Sequence, residues 1–285
     1  MKPRQRQLLW IAAAVIVALI WGFYSADGPQ TTAVLAGTVR AATLLALGAM
    51  CGMIGERSGI VNIGIEGQFL MSAFFAFTVT SMTGSLFMGT IAGVATGLTM
   101  GWLLAAMAVG LKVDQIIAGT VLNIAALGLT SFFYDRGRSL GVSKYTNIDL
   151  GPLADIPLVG TVFFSRPPIT YLTMALLVIV HVALFRSVWG MRTRAIGEHP
   201  GAADTVGIDV LRLRYLNVTL AGGFAGLGGS YLALEAVGTF SRAMSGGRGF
   251  LALAVMIFGR RTPFGAYAAA LVFGVTTALQ NQFQL

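Results

Sequence analysis

Cysteine, histidine and charged residues are scarce in this chain of 285 residues. The single cysteine, Cys51, excludes a disulfide framework and a cysteine metal site, and its apolar surroundings predict a small buried side chain. Charged residues make up 11% of the chain, against about 25% in soluble domains. So few charges cannot cover a surface that faces water, so we expect the solvent of this protein to be largely lipid.

The sequence also lacks the common motifs of catalysis. It contains no G-x-x-x-x-G-K-[ST] phosphate loop, no H-E-x-x-H and no G-x-S-x-G. Its two histidines, His181 and His199, fall in an apolar stretch and in a loop, respectively. We therefore predict no catalytic residue, no bound metal and no cofactor in this chain.

Apolar stretches long enough to cross a bilayer recur along the whole sequence. They predict an all-α polytopic membrane protein, a single domain over residues 1–285, with about nine membrane segments that include short or broken helices. The stretches are Leu8–Phe23, Ala33–Ile54, Gly64–Met82, Leu86–Val109, Gln115–Tyr134, Ile169–Ser187, Leu216–Leu234, Phe250–Phe258 and Phe264–Leu279. The first lacks a following small-residue cleavage site, so we interpret it as a retained signal-anchor rather than a signal peptide.

The basic residues predict the orientation. With the N-terminus in the cytoplasm, about twice as many Lys and Arg residues fall on the cytoplasmic side as on the other side, while acidic residues divide evenly. The basic residues that give the net charge of +8 therefore set the orientation in the membrane, and a nucleic-acid partner is excluded. The two longest loops are residues 135–168, predicted to be extracytoplasmic, and residues 189–215, predicted to be cytoplasmic.

One polar segment, GERSGIVNIGIEGQF at residues 55–69, interrupts two apolar runs. A charge at mid-membrane costs about 2.5–3.5 kcal/mol, and irregular backbone at that depth must be buried in protein or line water. The four glycines predict a loop or broken helix that enters the bilayer. Asn62, Glu66 and Gln68 are then candidates to line a transport pathway.

Simpler roles remain open for these side chains. Glu56 and Arg57 could form an inner turn, while Asn62 and Glu66 could satisfy loose backbone groups. Asn123, a further pathway candidate, could instead make a helix-to-helix hydrogen bond. We expect Arg40 to pair with a carboxylate such as Glu66. The tryptophans are expected to be membrane-interface anchors: Trp10, Trp21, Trp102 and Trp189.

Four stretches carry a resemblance to a known family, in the expected order and spacing from about Arg40 to Leu279. They are ERSGIVNIGIEGQFL, VDQIIAGTVLNIAALGL, MRTRAIGEHPGAADTVGIDV and GRGFLALAVMIFGRRTPFGAYAAALVFG. The chain resembles permease subunits of bacterial ABC importers in the ribose and branched-chain amino acid permease family. Within that family, the resemblance is closest to the branch that handles nucleosides and simple sugars.

The resemblance implies a permease in the bacterial inner membrane, without catalysis of its own. Members have around ten spans, and two permeases form the pore, for which the resemblance favours a heterodimer over a homodimer. Further partners implied are an ABC ATPase, which binds ATP-Mg, and an extracytoplasmic substrate-binding protein or lipoprotein, besides membrane lipid. Members continue with a further helix beyond a segment like ALQNQFQL, so we expect either a short member or a missing final helix.

The loop at residues 189–215 is implied to be the segment that docks on the ATPase. Its middle, EHPGAADTVGIDV, predicts a short helix because Pro200 suits a first turn and Gly207 suits a stop. The coupling contacts implied by the resemblance are Glu198, His199, Ala202, Ala203, Gly207 and Ile208.

Two other functions remain open from the residues alone. An ion-coupled secondary transporter of a small polar solute would use buried ionisable groups, for which Arg40 and Glu66 are the clearest candidates. A membrane enzyme or scaffold would need a reactive group such as His181 or Glu66.

Overall fold

The structure, a computed structural model, describes residues 21–134, 139–149, 151–154 and 156–283. Most of the predicted first span, Leu8–Phe23, lies outside the described residues. The helices are α1 Gly28–Arg57, α2 Ile65–Thr83, α3 Leu86–Ala105, α4 Gln115–Phe133, α5 Pro168–Arg186, α6 Val188–Glu198, α7 Pro200–Thr205, α8 Val210–Ser230, α9 Arg248–Phe258 and α10 Pro263–Phe283. Two π-helical turns, Ala106–Gly110 and Tyr231–Val237, extend α3 and α8.

The helices confirm the predicted all-α membrane architecture. Six of those described are long and apolar enough to cross a membrane: Gly28–Arg57, Leu86–Gly110, Gln115–Phe133, Pro168–Arg186, Val210–Val237 and Pro263–Gln282. Helix α2 has 19 residues, and Glu66 and Gln68 in its first turns lower its hydropathy. Helix α9, with 11 residues, is only about 16 Å long and therefore too short to cross.

Side-chain caps explain where several helices begin. The N-cap carboxylates of Asp27, Asp114 and Asp209 accept hydrogen bonds from backbone amides in the first turns of α1, α4 and α8. The hydroxyls of Ser85 and Ser187 do the same for α3 and α6. Since the first four amides of a helix have no partner within it, these side chains fix the starting points.

Helices α1 and α8 form the centre of the bundle. In the most apolar 18-residue stretch of each of these two helices, 67% and 72% of the residues are buried. The corresponding stretches of α3, α4, α5 and α10 are about one-third buried. The aliphatic residues of α1 from Leu44 to Ile54 pack against Phe69 of α2, Tyr231 beyond α8, and α9. The peripheral helices expose large apolar side chains, as expected of surfaces that face lipid.

A row of glycines brings α3 and α8 into backbone contact. Gly93, Gly97 and Gly101 follow one another at intervals of four residues and face Gly222 and Gly226 of α8. A Cβ atom on Gly97 would overlap the carbonyl oxygen of Gly222. Small residues at this spacing let membrane helices approach closely, where packing and weak backbone contacts hold them together.

Four segments meet at one end of the molecule, which we call the basic end. They are the last turn of α1, the α6–α7 segment, the start of α8 and the turn between α9 and α10. Arg214 of α8 donates to the carbonyl oxygens of Ser58 and Ile196, and Arg57 donates to that of Arg261. The sequence predicts that all four segments lie on the same side of the membrane, and their meeting agrees with that grouping.

The loop predicted at residues 135–168 contains a small β-ribbon in its described part. Strand β1, Ile148–Asp149, pairs antiparallel with β2, Ser165–Arg166. A π-helical turn, Gly160–Phe164, precedes β2 and packs against α1. The ribbon therefore adds a minor β element that the all-α prediction does not include.

The glycine contact predicts a strong response to one methyl group. Gly97→Ala should destabilise the protein by about 1–3 kcal/mol because the added carbon overpacks a backbone contact. Gly128→Ala in α4 is the matched control, because nothing lies within 4 Å of its Cβ position and alanine favours a helix. Thermal unfolding of the purified protein in detergent measures both. Equal melting temperatures for the two variants would contradict the contact.

Candidate functional site

The polar segment predicted at residues 55–69 is a true break between two helices. Helix α1 ends at Arg57, and the amides of Ser58 and Ile60 donate back to the carbonyl oxygen of Gly55. Gly59 has φ of +84°, which favours glycine. The chain then folds back into the bundle before α2 begins at Ile65. The predicted broken helix is therefore confirmed.

Two amide side chains fill the space beside this break. The Nδ2 of Asn62 donates to Oε1 of Gln68 at 3.1 Å and approaches Sγ of Cys51 at 3.3 Å. All three side chains are buried, and the buried position predicted for Cys51 is confirmed. Within the described chain, Oδ1 of Asn62 and Nε2 of Gln68 have no hydrogen-bond partner. Both amides therefore lie in the protein interior.

Asn123 of α4 closes the other side of the break. Its Oδ1 accepts from the amide of Gly67 at 2.7 Å, and its Nδ2 donates to the carbonyl oxygen of Ile63 at 3.0 Å. Gly119, one turn earlier, packs directly on Gly64. Asn123 therefore makes hydrogen bonds that join α4 to the break and to α2, which is one of the two roles that the sequence left open for it.

Glu66 caps a helix that lies far along the chain. Its two carboxylate oxygens accept from the amides of Gly247 and Gly249, at 2.7 and 2.6 Å, at the start of α9. A carboxylate at this position satisfies two unpaired amides and complements the positive end of the helix dipole. Glu66 remains partly exposed, next to the exposed residues Gly246 and Arg248.

The predicted pairing of Arg40 with Glu66 is wrong. Both oxygens of Glu66 are engaged by backbone amides, whereas the exposed Arg40 forms no ion pair among the described residues. The ion pair found among the described residues joins Glu56 to Arg261 at the basic end. Glu56 therefore links the end of α1 to the α9–α10 turn.

A second carboxylate, that of Glu235, also caps the start of a helix. It is not among the residues predicted from the sequence. Glu235, in the π-helical turn after α8, accepts from the amides of Ile169 and Thr170 and from the hydroxyl of Thr170. It thereby caps the start of α5. The signal that could have revealed it is a glutamate inside the apolar run YLALEAV. Such a residue needs a specific partner in a membrane protein.

The loop predicted at residues 189–215 consists of most of α6, all of α7, their connections and the first turns of α8. Helix α7, Pro200–Thr205, confirms the predicted short helix, and Gly207 ends it with φ of +83°. The six predicted coupling residues differ in exposure: Glu198, His199, Ala202 and Gly207 are exposed, Ile208 is half-buried and Ala203 is buried. The methyl group of Ala203 therefore packs against the protein.

Two side chains of α8 hold this segment against the bundle. The guanidinium of Arg214 bridges the carbonyl oxygens of Ser58 and Ile196, at 3.0 and 3.1 Å. The buried amide of Asn217 accepts from Nε1 of Trp189 and donates to Thr193. Trp189 therefore has an internal partner, whereas Trp21 and Trp102 are exposed, as expected of interface anchors.

In the described ranges, no group of three or more His, Cys, Asp or Glu side chains could hold a metal ion. The polar side chains around the break are used for internal hydrogen bonds. The site is a polar break inside an apolar bundle, connected through Arg214 to an exposed segment at the basic end.

Comparisons with known proteins agree with this arrangement. The family model described as "Branched-chain amino acid transport system / permease component" matches residues 34–285. TsgC13 of Haloferax volcanii, provisionally named a glucose ABC transporter permease, is 36% identical over 254 residues, which cover 88% of this chain and 77% of that protein. No solved structure matches the chain.

Two further relatives come from one organism, Bacillus subtilis, and bear matching names. The guanosine ABC transporter permease NupQ is 36% identical over 263 residues, covering 86% of this chain and 81% of NupQ. The guanosine ABC transporter permease NupP is 26% identical over 286 residues, covering 94% of this chain and 81% of NupP.

The cap on α9 predicts a local effect of removing one charge. In Glu66→Gln, a single amide oxygen replaces two acceptors, so one of the two backbone amides loses its partner. A hydrogen bond to a charged group contributes about 1.5–3 kcal/mol. Hydrogen exchange at Gly249–Leu251 should therefore accelerate roughly tenfold to a hundredfold. Glu198→Gln is the control, because it removes an exposed carboxylate at the basic end, away from the start of α9. Hydrogen exchange at Gly249–Leu251 in this variant should match that of the unmodified protein. Unchanged exchange in Glu66→Gln would contradict the cap.

Proposed function

Because this chain belongs to the branched-chain amino acid transport system permease family, we propose that it translocates a nucleoside or simple sugar as the permease subunit of an ATP-driven importer. The observation that carries the proposal is the family match over residues 34–285. The names of its relatives, for guanosine and for glucose, support the substrate class. The chain is a multi-pass membrane protein, and we place it in the cell membrane with its N-terminus in the cytoplasm.

The start of α9 is the proposed lining of the solute pathway. Helix α9 is about 16 Å long and ends near the basic end, so if it runs along the membrane normal its first residue lies near the middle of a hydrocarbon core of about 30 Å. The partly exposed carboxylate of Glu66, the exposed backbone of Gly246 and the exposed side chain of Arg248 surround that position. Polar backbone at this depth cannot face lipid tails. Discontinuous helices that end at the bilayer midplane form substrate sites in other transporters.

A second permease subunit would cover this polar surface. Two permeases with matching names in one organism, NupQ and NupP, support a pair of different chains rather than two copies of one. The solute would then pass between the two subunits. Asn62, Gln68 and Asn123 would not contact the solute. They would stabilise the break that positions Glu66.

The α6–α7 segment is the proposed docking element for a separate ATPase subunit, which would bind ATP-Mg. Its exposed residues Glu198, His199, Ala202 and Gly207 form the candidate contact surface, with Ile208 beside them. Arg214 joins this segment to residue 58 at the start of the break. Movement of the docked segment would therefore reach Glu66 through a short, hydrogen-bonded path. An extracytoplasmic binding protein or lipoprotein would deliver the solute at the opposite end.

Co-purification and uptake test the whole proposal. We expect the chain, expressed with its neighbouring genes, to purify with an ATPase and a second permease. Proteoliposomes of that complex should take up a nucleoside or sugar when ATP and the binding protein are supplied. Accumulation by the chain alone, driven by an ion gradient without ATP, would contradict the proposal.

The docking role predicts the effect of a surface change. Glu198→Arg combined with Ala202→Asp should reduce ATP-driven uptake at least fivefold, because mismatched charges at an interface are unfavourable. Both residues are exposed, so folding should persist. Arg186→Glu, also an exposed charge reversal but outside α6 and α7, serves as the control. Normal uptake by the double variant would exclude this surface as the docking site.

The hydrogen bonds of Arg214 predict that even a charge-conserving substitution at this position lowers the uptake per ATP hydrolysed. Arg214→Lys retains the positive charge but cannot reach the carbonyl oxygens of Ser58 and Ile196 with two separate donors. We expect ATP hydrolysis by the complex to persist, while uptake per ATP falls at least threefold. Arg212→Lys, on the exposed side of the same helix, should leave that ratio unchanged. An unchanged ratio in Arg214→Lys would show that the connection transmits nothing.

A further inference from the structure

A cavity of about 420 Å³ lies away from the basic end, beside the β-ribbon. It is enclosed by α1, residues 143–147, the start of α5 and the π-helical turn after α8. Its volume falls in the range of about 300–1,000 Å³ that is typical of small-molecule sites. None of its residues belongs to the break at residues 58–64 or to the α6–α7 segment, although Arg40 and Ala236 also line a second cavity that reaches Arg248.

Three cationic side chains line this cavity: Arg40, Lys144 and Arg166. In the part of the chain that the structure describes, none of the three has a carboxylate within ion-pair distance. Among the described residues, the ammonium of Lys144 donates to the carbonyl oxygen of Ala236, at 3.4 Å. Cations brought together without counter-charges repel one another, so an anion in their midst would be stabilised.

Arg166 is the fixed member of this group. It is 96% buried, its Nε donates to the carbonyl oxygen of Val162 at 2.6 Å, and its Nη1 donates to that of Ala36 at 3.2 Å. Its Nη2 has no partner among the described residues. Burial, and secondarily the charge of Arg40, lower the pKa of the Arg166 guanidinium. A buried, unpaired donor next to another cation is unfavourable unless an acceptor reaches it.

One carboxylate, that of Glu235, also lines the cavity, and it forms no ion pair with the cations among the described residues. The oxygens of Glu235 accept from the amide of Ile169 at 2.8 Å and from the amide and hydroxyl of Thr170 at 3.2 and 2.6 Å. The start of α5 thus compensates its charge. Three cations and one carboxylate leave the lining with an excess of positive charge.

We propose that this cavity binds a phosphate group. Guanidinium and ammonium groups are the side chains that recognise phosphate, and Ser143, Thr146 and Asn147 supply neutral donors beside them. The phosphate belongs either to a free or solute-borne phosphate ester or to the headgroup of an anionic phospholipid. Nucleosides and simple sugars carry no phosphate, so this site goes beyond the proposed transport function and does not depend on it.

The test compares two variants of the full-length chain. Arg40→Gln combined with Lys144→Gln removes the two exposed cations and spares Arg166, whose internal hydrogen bonds support the fold. Arg186→Gln, an exposed arginine near the basic end, is the control. Calorimetric titration with inorganic phosphate in detergent forms the first arm. Native mass spectrometry of lipid retained from nanodiscs of phosphatidylglycerol and phosphatidylcholine forms the second.

Each outcome decides the proposal. Phosphate binding that weakens at least tenfold in the double variant, and less than twofold in the control, supports a site for a soluble phosphate. Retention of phosphatidylglycerol over phosphatidylcholine that falls at least fivefold in the double variant alone supports a lipid headgroup. If neither ligand binds, or if the double variant binds like the control, the cavity is not a phosphate site.

Discussion

The hydrocarbon core of a membrane cannot form hydrogen bonds with a polypeptide, and this constraint explains the polar contacts at the helix break and at the buried helix starts of this structure. Where α1 stops short of α2, side chains replace the missing helical bonds: Asn123 holds the break from α4, and Asn62 and Gln68 fill its interior. Where α9 and α5 begin inside the bundle, Glu66 and Glu235 supply the missing acceptors. The sparse polar residues of the chain are therefore concentrated where the backbone departs from a continuous helix.

The spans and the break could be predicted because they depend on local sequence. Apolar runs of about 20 residues give the helices, and the glycines around Asn62 and Glu66 give the interruption. The short helix α7 also followed from local signals, a proline at its start and a glycine at its end. In these cases the residues that determine the structure lie within a few positions of it.

The contacts of the site could not be predicted because its partners are far apart in the sequence. Glu66 and Gly249 are separated by 183 residues, and a carboxylate in an apolar chain pairs as readily with a cation as with a helix start. The prediction chose Arg40 and was wrong. The burial of Ala203 and the cavity beside Arg166 likewise depend on how distant helices pack. The glycine spacing in α3 indicates that this helix packs closely against another helix, but it does not indicate that the other helix is α8.

The backbone contact between α3 and α8 limits how this protein can change shape. Side chains that interdigitate can rearrange to let two helices slide, but Gly97 and Gly222 offer no side chain to rearrange. The pair should therefore travel as one rigid body. Both helices continue into π-helical turns, Ala106–Gly110 and Tyr231–Val237, where the regular hydrogen-bond ladder is interrupted. Any bending of these two helices is thus expected at the two turns, on either side of the rigid glycine contact.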